Sequence, residues 1–165
     1  MALPKTTEKL GAENQIYRDP DSFADLTPAE REVLKIVQTE LQGWDQDDLE
    51  KVLSVMADDA IYWDVTLDPA VGKEGIREFG EGWLEFCPNF GCFVEKLVVQ
   101  GDTVVSVGQV YGDPLPGVEF YPGRISKEGR HFDLWYAQVA IVKEGKIVYV
   151  RDHWDSKYMD PVFDD

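Results

Sequence analysis

Apolar residues recur along this chain in two rhythms, helical in the first half and alternating in the second. Val33, Leu34, Val37 and Leu41 fall at helical spacing behind Thr27-Pro28-Ala29-Glu30, a capping box with proline at the first helical position, and Gly43 closes the run. The acidic stretch 45–48 supplies caps for a second helix with Leu49, Val52, Leu53 and Met56 on its buried face. After Asp58-Asp59, residues 60–65 read as a short strand, whose period of two puts Tyr62 and Asp64 on one face. Pro69 marks a loop over 67–72. Residues 73–86 then form a third amphipathic helix with Ile76, Phe79, Trp83 and Phe86 along one side, broken by Cys87-Pro88-Asn89. Strands follow at 93–99 and 103–111, joined at Gly101-Asp102.

Residues 129–155 carry two long apolar runs separated by Lys143-Glu144-Gly145-Lys146, the pattern of a β-hairpin. Both faces of the first run are apolar or aromatic. One is expected to pack on helices or a partner and the other to floor an enclosed pocket. Glu144-Gly145 is either a two-residue turn or part of a three-residue loop closed by a glycine bulge. The bulged loop is the expected form, and it sets Leu134, Tyr136 and Gln138 beside Val150, Asp152 and Trp154. The tight turn would set Asp152 with Trp135 and Ala137 instead. A carboxyl among aromatic rings is costly to ionise, so Asp152 is a candidate acid or base near neutrality. The competing reading pairs it with Arg151 or Arg130 at the strand end.

Three segments lack this periodicity. Residues 1–26 form an arm that is either flexible or laid along a partner, the domain spans 27–155, and 156–165 is a short acidic tail. The connection 113–128 holds three prolines and Phe120-Tyr121, and is either a lid over a pocket mouth or an extended hairpin tip.

The order of elements gives an α+β fold, with three helices on one face of a curved, mostly antiparallel sheet that together enclose a cone. At 165 residues one domain suffices. The 32 acidic residues against 16 basic ones, a net charge of -16, argue against nucleic acid or anionic membrane as partner. The polar N-terminus has no apolar core of a secretion signal, which makes a cytoplasmic protein the expectation. Cys87 and Cys92 match neither a zinc site nor a disulfide framework and read as reduced packing residues. Five Trp, seven Tyr and eight Phe would line a pocket for a ring-bearing ligand as well as fill a core.

MADDAIYWDV at 56–65, VGKEGIREF at 71–79 and EGKIVYVRDHWD at 144–155 resemble the SnoaL-like, limonene-epoxide-hydrolase-like branch of the nuclear-transport-factor-2-like (NTF2-like) superfamily, which also holds the ketosteroid isomerases. The resemblance covers about residues 28–155. It implies that Asp152 matches the last-strand Asp of the epoxide hydrolases, that Tyr62 matches their water-holding Tyr, and that Asp64 stands where they carry Asn. Their Arg and second Asp belong on the strand that here reads VVSVGQV at 104–110 and bears no charge. Against the ketosteroid isomerases, Asp64 matches the general base, Gln138 replaces the hairpin acid and Trp154 fits the aromatic wall. For the polyketide cyclases, Asp152 matches the single acid/base Asp.

The residues themselves give a compatible site: Asp64 and Asp152 brought to one cavity, with Tyr62 and Tyr136 as neutral donors able to stabilise an oxyanion. Trp154, Gln138, Leu134, Phe79, Trp83 and Arg130 are the expected substrate contacts. No metal or organic cofactor is required by such chemistry. The expected function is a cofactor-independent lyase or dehydratase, isomerase or cyclase on a small hydrophobic ring-bearing metabolite. The alternatives are an epoxide hydrolase with a rearranged set and a non-catalytic binding module. The plainer reading makes Asp64 a strand-end cap and the tyrosines core. His131 and His153 are expected on the face opposite Asp152. A homodimer is expected through the outer sheet face bearing Trp135, Val139 and Ile141.

Overall fold

The computed structural model describes residues 13–88 and 90–163. Helix α1, Pro28–Asp45, starts at the capping box: Thr27 Oγ1 accepts from the Glu30 amide at 3.2 Å, and Glu30 Oε2 accepts from the Thr27 amide at 3.0 Å. Helix α2 is short, Leu49–Val55, with Asp48 capping the Lys51 amide. Met56, expected on the helix, instead opens strand β1, Met56–Asp64, so the strand starts earlier than the alternation from Ala60 implies. Strand β2, Ala70–Val71, leads into α3, Gly72–Phe86.

The remaining strands are β3 (Gly91–Gln100), β4 (Thr103–Gly112), β5 (Glu119–Tyr121), β6 (Arg124–Ile125), β7 (Phe132–Lys143) and β8 (Lys146–Trp154), followed by a short helix α4, Asp160–Phe163. Six strands form one sheet in the order β2-β1-β8-β7-β4-β3, antiparallel except for the parallel pair β1–β8. The sheet bends around the helices. A bulge in β3 at Glu95 lies beside Gly108 of β4, where a Cβ would stand 2.0 Å from the Phe93 carbonyl oxygen, so only glycine permits this close approach. Two sides of the expected cone are thus in place, and no described helix is long and apolar enough to cross a membrane.

The hairpin β7–β8 reaches the expected register by an unexpected route. Glu144 and Gly145 both have positive φ, 49° and 75°, and Lys143 faces Lys146, which is a tight two-residue turn rather than a three-residue loop. That turn alone would pair Ala137 with Asp152. The shift happens further along, where Ile141 faces Tyr149 and Val142 faces Ile147, leaving Val148 as an extra residue in β8. Beyond this bulge Gln138 faces Asp152 and Tyr136 faces Trp154.

One face of β7 does both jobs assigned to two. Phe132, Leu134, Tyr136, Gln138, Ala140 and Val142 all point inward, meeting helices at one end and the cavity at the other. The opposite face, with Trp135 at 41% exposure, is open in the single chain. There Arg151 lies over the Trp63 ring at 4.2 Å, away from Asp152. His153 is exposed on the same strand, and His131 Nδ1 lies 2.9 Å from Asp113 Oδ1.

The arm is corrected over 13–26. Ile16 is fully buried, Asn14 bonds the backbone of Cys92 and Val94 on β3, and Gln38 and Gln42 of α1 donate to the carbonyls of Gln15, Arg18 and Ile16. Residues 1–12 of that expectation lie outside the described residues. The tail docks as well, with Met159, Val162 and Phe163 buried.

Candidate active site

Register sets the site's floor. Asp64 on β1 faces Asp152 on β8, Asp152 faces Gln138 on β7, and Gln138 faces Ser106 on β4. Four polar residues thus form one row across four strands, on the side the helices cover. The cavity above holds about 630 Å³ of empty space counted out to its open mouth. Leu41 and Trp44 of α1, Phe79, Trp83 and Leu84 of α3, and Phe90, Val110, Leu134 and Trp154 wall it. Tyr62, Asp64, Cys92, Tyr136, Gln138 and Asp152 supply its polar atoms. Every candidate named from the sequence lines this cavity except Arg130, which lies in the turn before β7, outside the lining. Strand periodicity does not extend back to residue 130, because β7 begins at Phe132.

Asp152 Oδ2 accepts the Tyr62 hydroxyl at 2.7 Å, and its Oδ1 is shut from solvent without a partner. Burial and the neighbouring Asp64 charge push its pKa from 3.8 up to about 7, against the pull of the Tyr62 hydrogen bond and the nearby Gln138 amide. Asp64 is held firmly. Its Oδ1 accepts from the Thr66 amide at 2.9 Å and the Thr66 hydroxyl at 2.6 Å, and its Oδ2 from the Trp154 indole at 2.9 Å. It is therefore both the strand-end cap of the plainer reading and a wall of the cavity.

Both tyrosine hydroxyls are already engaged. Tyr62 donates to Asp152, which leaves its proton unavailable to an oxyanion, and the Tyr136 oxygen lies 3.1 Å from Cys92 Sγ, a contact in which either group can donate. Burial raises the pKa of each well above 10. No disulfide joins Cys87 and Cys92.

Glu40 is the residue that sequence reasoning missed. It is fully buried on α1, behind the cavity wall, with Oε1 accepting from Trp44 Nε1 at 2.7 Å and Gln138 Nε2 at 3.3 Å. Burial first, and then the Asp152 charge, raise its pKa from 4.5 to about 8, so it holds its proton at pH 7. The signal was present: Glu40 falls between Val37 and Trp44 on the buried face of the helix, where an acid is out of pattern.

The connection 113–128 is a hairpin tip folded back against α3 and the turn after β1. Phe120 packs on Trp83 and Phe86 with ring centroids 4.6 and 4.4 Å apart, and the Tyr121 hydroxyl lies 3.1 Å from Thr66 Oγ1, which donates to Asp64. The tail backs this cap: Phe163 stacks on Phe86, and Arg124 Nη2 bonds Asp160 at 2.8 Å. Among the described residues no grouping of three or more His, Cys, Asp or Glu is placed to hold a metal ion.

The SnoaL-like domain profile matches residues 37–150. The chain belongs to the SnoaL-like family, within the NTF2-like superfamily. Similar solved structures include a SnoaL-like, proposed polyketide cyclase from Jannaschia sp. CCS1, 19% identical over 86% of this chain and 98% of that one, with a TM-score of 0.74. An NTF2-like protein of unknown function from Burkholderia pseudomallei K96243 is 16% identical over 81% and 98%, with a TM-score of 0.69. An epoxide hydrolase from Mycobacterium tuberculosis resembling the limonene epoxide hydrolases is 18% identical over 84% and 89%, with a TM-score of 0.66. At these identities the likeness shows the fold alone. Comparison with curated proteins gives no match.

Proposed function

We propose that this SnoaL-like protein is a cofactor-independent acid/base enzyme, a lyase or dehydratase, isomerase or cyclase, acting on a small ring-bearing ligand held in the cone. The observation that carries the reading is Asp152: a buried carboxyl bonded by Tyr62, adjacent to Asp64, and poised at about 7. A group with that pKa is present in both protonation states at neutral pH, so it can accept a proton at one atom of the ligand and return it at another. Tyr62 would position it, and Asp64 would keep its pKa high by its charge. Phe79, Trp83, Leu134 and Trp154 would hold the ring, and Gln138 would hold the polar end. An epoxide hydrolase of the Asp-Arg-Asp type is less well supported, since β4 carries no charged residue.

The test is turnover by Asp152→Asn on a substrate found by screening ring-bearing metabolites. A fall of about 10²–10⁴ in kcat at saturating substrate is expected for loss of a general acid/base. Full turnover in the variant would remove Asp152 from the chemistry.

A further inference from the structure

The polar atoms of the cone are unbalanced. The carboxyl groups of Asp64 and Asp152 face the cavity, Glu40 lies just behind it, and among the described residues no Lys, Arg or His lines it. Three donors near the floor are spoken for: Tyr62 gives its proton to Asp152, Trp154 to Asp64, and Trp44 to Glu40, while the Tyr136 hydroxyl lies against Cys92 Sγ, where either group can donate. Among the residues that line the cavity, what remains without a partner is oxygen, Asp152 Oδ1 and Gln138 Oε1, with Gln138 only 2% exposed, while Glu40 Oε2 and Ser106 Oγ are unpaired outside the lining. A buried acceptor left unpaired costs free energy that a ligand donor recovers.

The walls and the approach carry the same sign. Trp44, Phe79, Trp83, Phe90 and Trp154 line the cavity, and an aromatic ring attracts a cation through its negative quadrupole. A groove between α3 and β5, sharing Phe79 and Trp83 with the cavity, carries Glu78, Glu85 and Glu119. With a net charge of -16, the field favours positive ligands and repels acids.

We infer that the cone takes a ring-bearing amine in its protonated form, the ammonium donating to Asp152 and Gln138 and the ring lying among the indole and phenyl walls. This rests on reading the cone as the ligand site of the proposed enzyme and adds its substrate class. Carboxylate substrates are excluded by the same charges. A cationic ligand also fits the site's energetics: it compensates the Asp64 charge that now opposes ionisation of Asp152.

Binding is linked to the charge on Asp152. The titratable groups around it are Asp64 and Tyr62 on β1, Glu40 on α1, Cys92 on β3 and Tyr136 on β7, with no cation among them. An ammonium favours the carboxylate, so the amine lowers the Asp152 pKa from about 7. Binding then releases a proton at pH 6 and weakens by about tenfold there relative to pH 8.

Isothermal titration with four naphthalenes of one size tests this without any need for turnover: 2-naphthylmethylamine, 2-naphthalenemethanol, 2-acetonaphthone and 2-naphthoate. The expected result is the amine binding at least tenfold tighter than the other three, proton release at pH 6 read from buffers of different ionisation enthalpy, and collapse of the preference in Asp152→Asn. The alcohol, ketone or acid binding as tightly as the amine overturns the inference, as does the absence of binding by all four. Because Asp152→Asn turnover is scored separately, an enzyme that prefers a ketone loses the amine assignment and keeps the acid/base one.

Discussion

Tyr62 and Asp152 meet diagonally across the parallel pair β1–β8, hydroxyl to carboxyl at 2.7 Å, while Asp64 sits directly opposite Asp152. The two neighbours pull in opposite directions. Asp64 opposes ionisation of Asp152 and the Tyr62 hydroxyl favours it, with burial outweighing both.

Removing the favourable partner exposes that balance. Tyr62→Phe is expected to raise the Asp152 pKa further, by about one pH unit, since a hydrogen bond to a charged group is worth roughly 1.5–3 kcal/mol and the ring stays in place. Carboxyl chemical shifts followed through a pH titration read it directly. A pKa unchanged or lowered would mean that the hydroxyl does not hold the carboxylate.

Glu40 and Asp152 also govern stability against pH. Both pKa values are higher in the folded chain, about 8 and about 7, than the ordinary 4.5 and 3.8, so the folded state binds more protons between those limits. Their contribution is full below about pH 4 and is lost as pH rises toward 7 to 8, each group at up to ~1.4 kcal/mol per pH unit. Urea unfolding from pH 4.5 to 8.5 should show a flatter profile for Glu40→Gln, with its gain over the parent largest at the alkaline end. A gain independent of pH would show that Glu40 does not titrate in the folded chain.

A homodimer is expected through the outer sheet face. Trp135, Val98, Val105, Val139 and Ile141 are exposed or half-buried there, an apolar surface that a second copy would cover. Sedimentation at micromolar concentration is expected to give a dimer, and Trp135→Lys a monomer with an unchanged fold. A monomeric parent chain would leave the face uncovered and the expectation wrong.

Phe120 ties the cap to α3 through two ring contacts. Phe120→Ala should cost about 1–2 kcal/mol, below the ~3–5 of a wholly buried Phe, and should speed ligand release more than association. Stopped-flow dissociation distinguishes this from a simple loss of stability, which would leave the release rate unchanged.

Most of the cone was legible because its determinants are local. The capping box at Thr27 and Glu30, the stripe through Ile76, Phe79 and Trp83, and the alternation that aligns Tyr62 with Asp64 each need only a few neighbours. What escaped depends on partners distant in sequence. An acid at position 40 of a helix reads as solvated until Gln138, 98 residues away, comes to meet it. Ile16 reads as part of a loose arm until Gln38, Gln42 and the edge of β3 hold the segment. Arg130 has the right parity with Asp152, but the strand does not reach it.

The unpaired Val148 works as a parity bit for the sheet. A strand alternates faces, so whether one residue between the turn and Asp152 is paired or bulged exchanges inside for outside all the way to the strand's end. Were Val148 paired with Ile141 and the turn kept, Arg151 would face Gln138 and His153 would face Tyr136 in the cone, and Asp152 and Trp154 would turn outward beside Trp135. The chain would keep its composition, its helices and its strand order while an acid and an indole on the cavity floor gave way to two basic side chains. On this scaffold the charge of the pocket is therefore set by one bulge as much as by side-chain identity, and a slip of one residue in one strand is a step between chemistries that no single substitution makes.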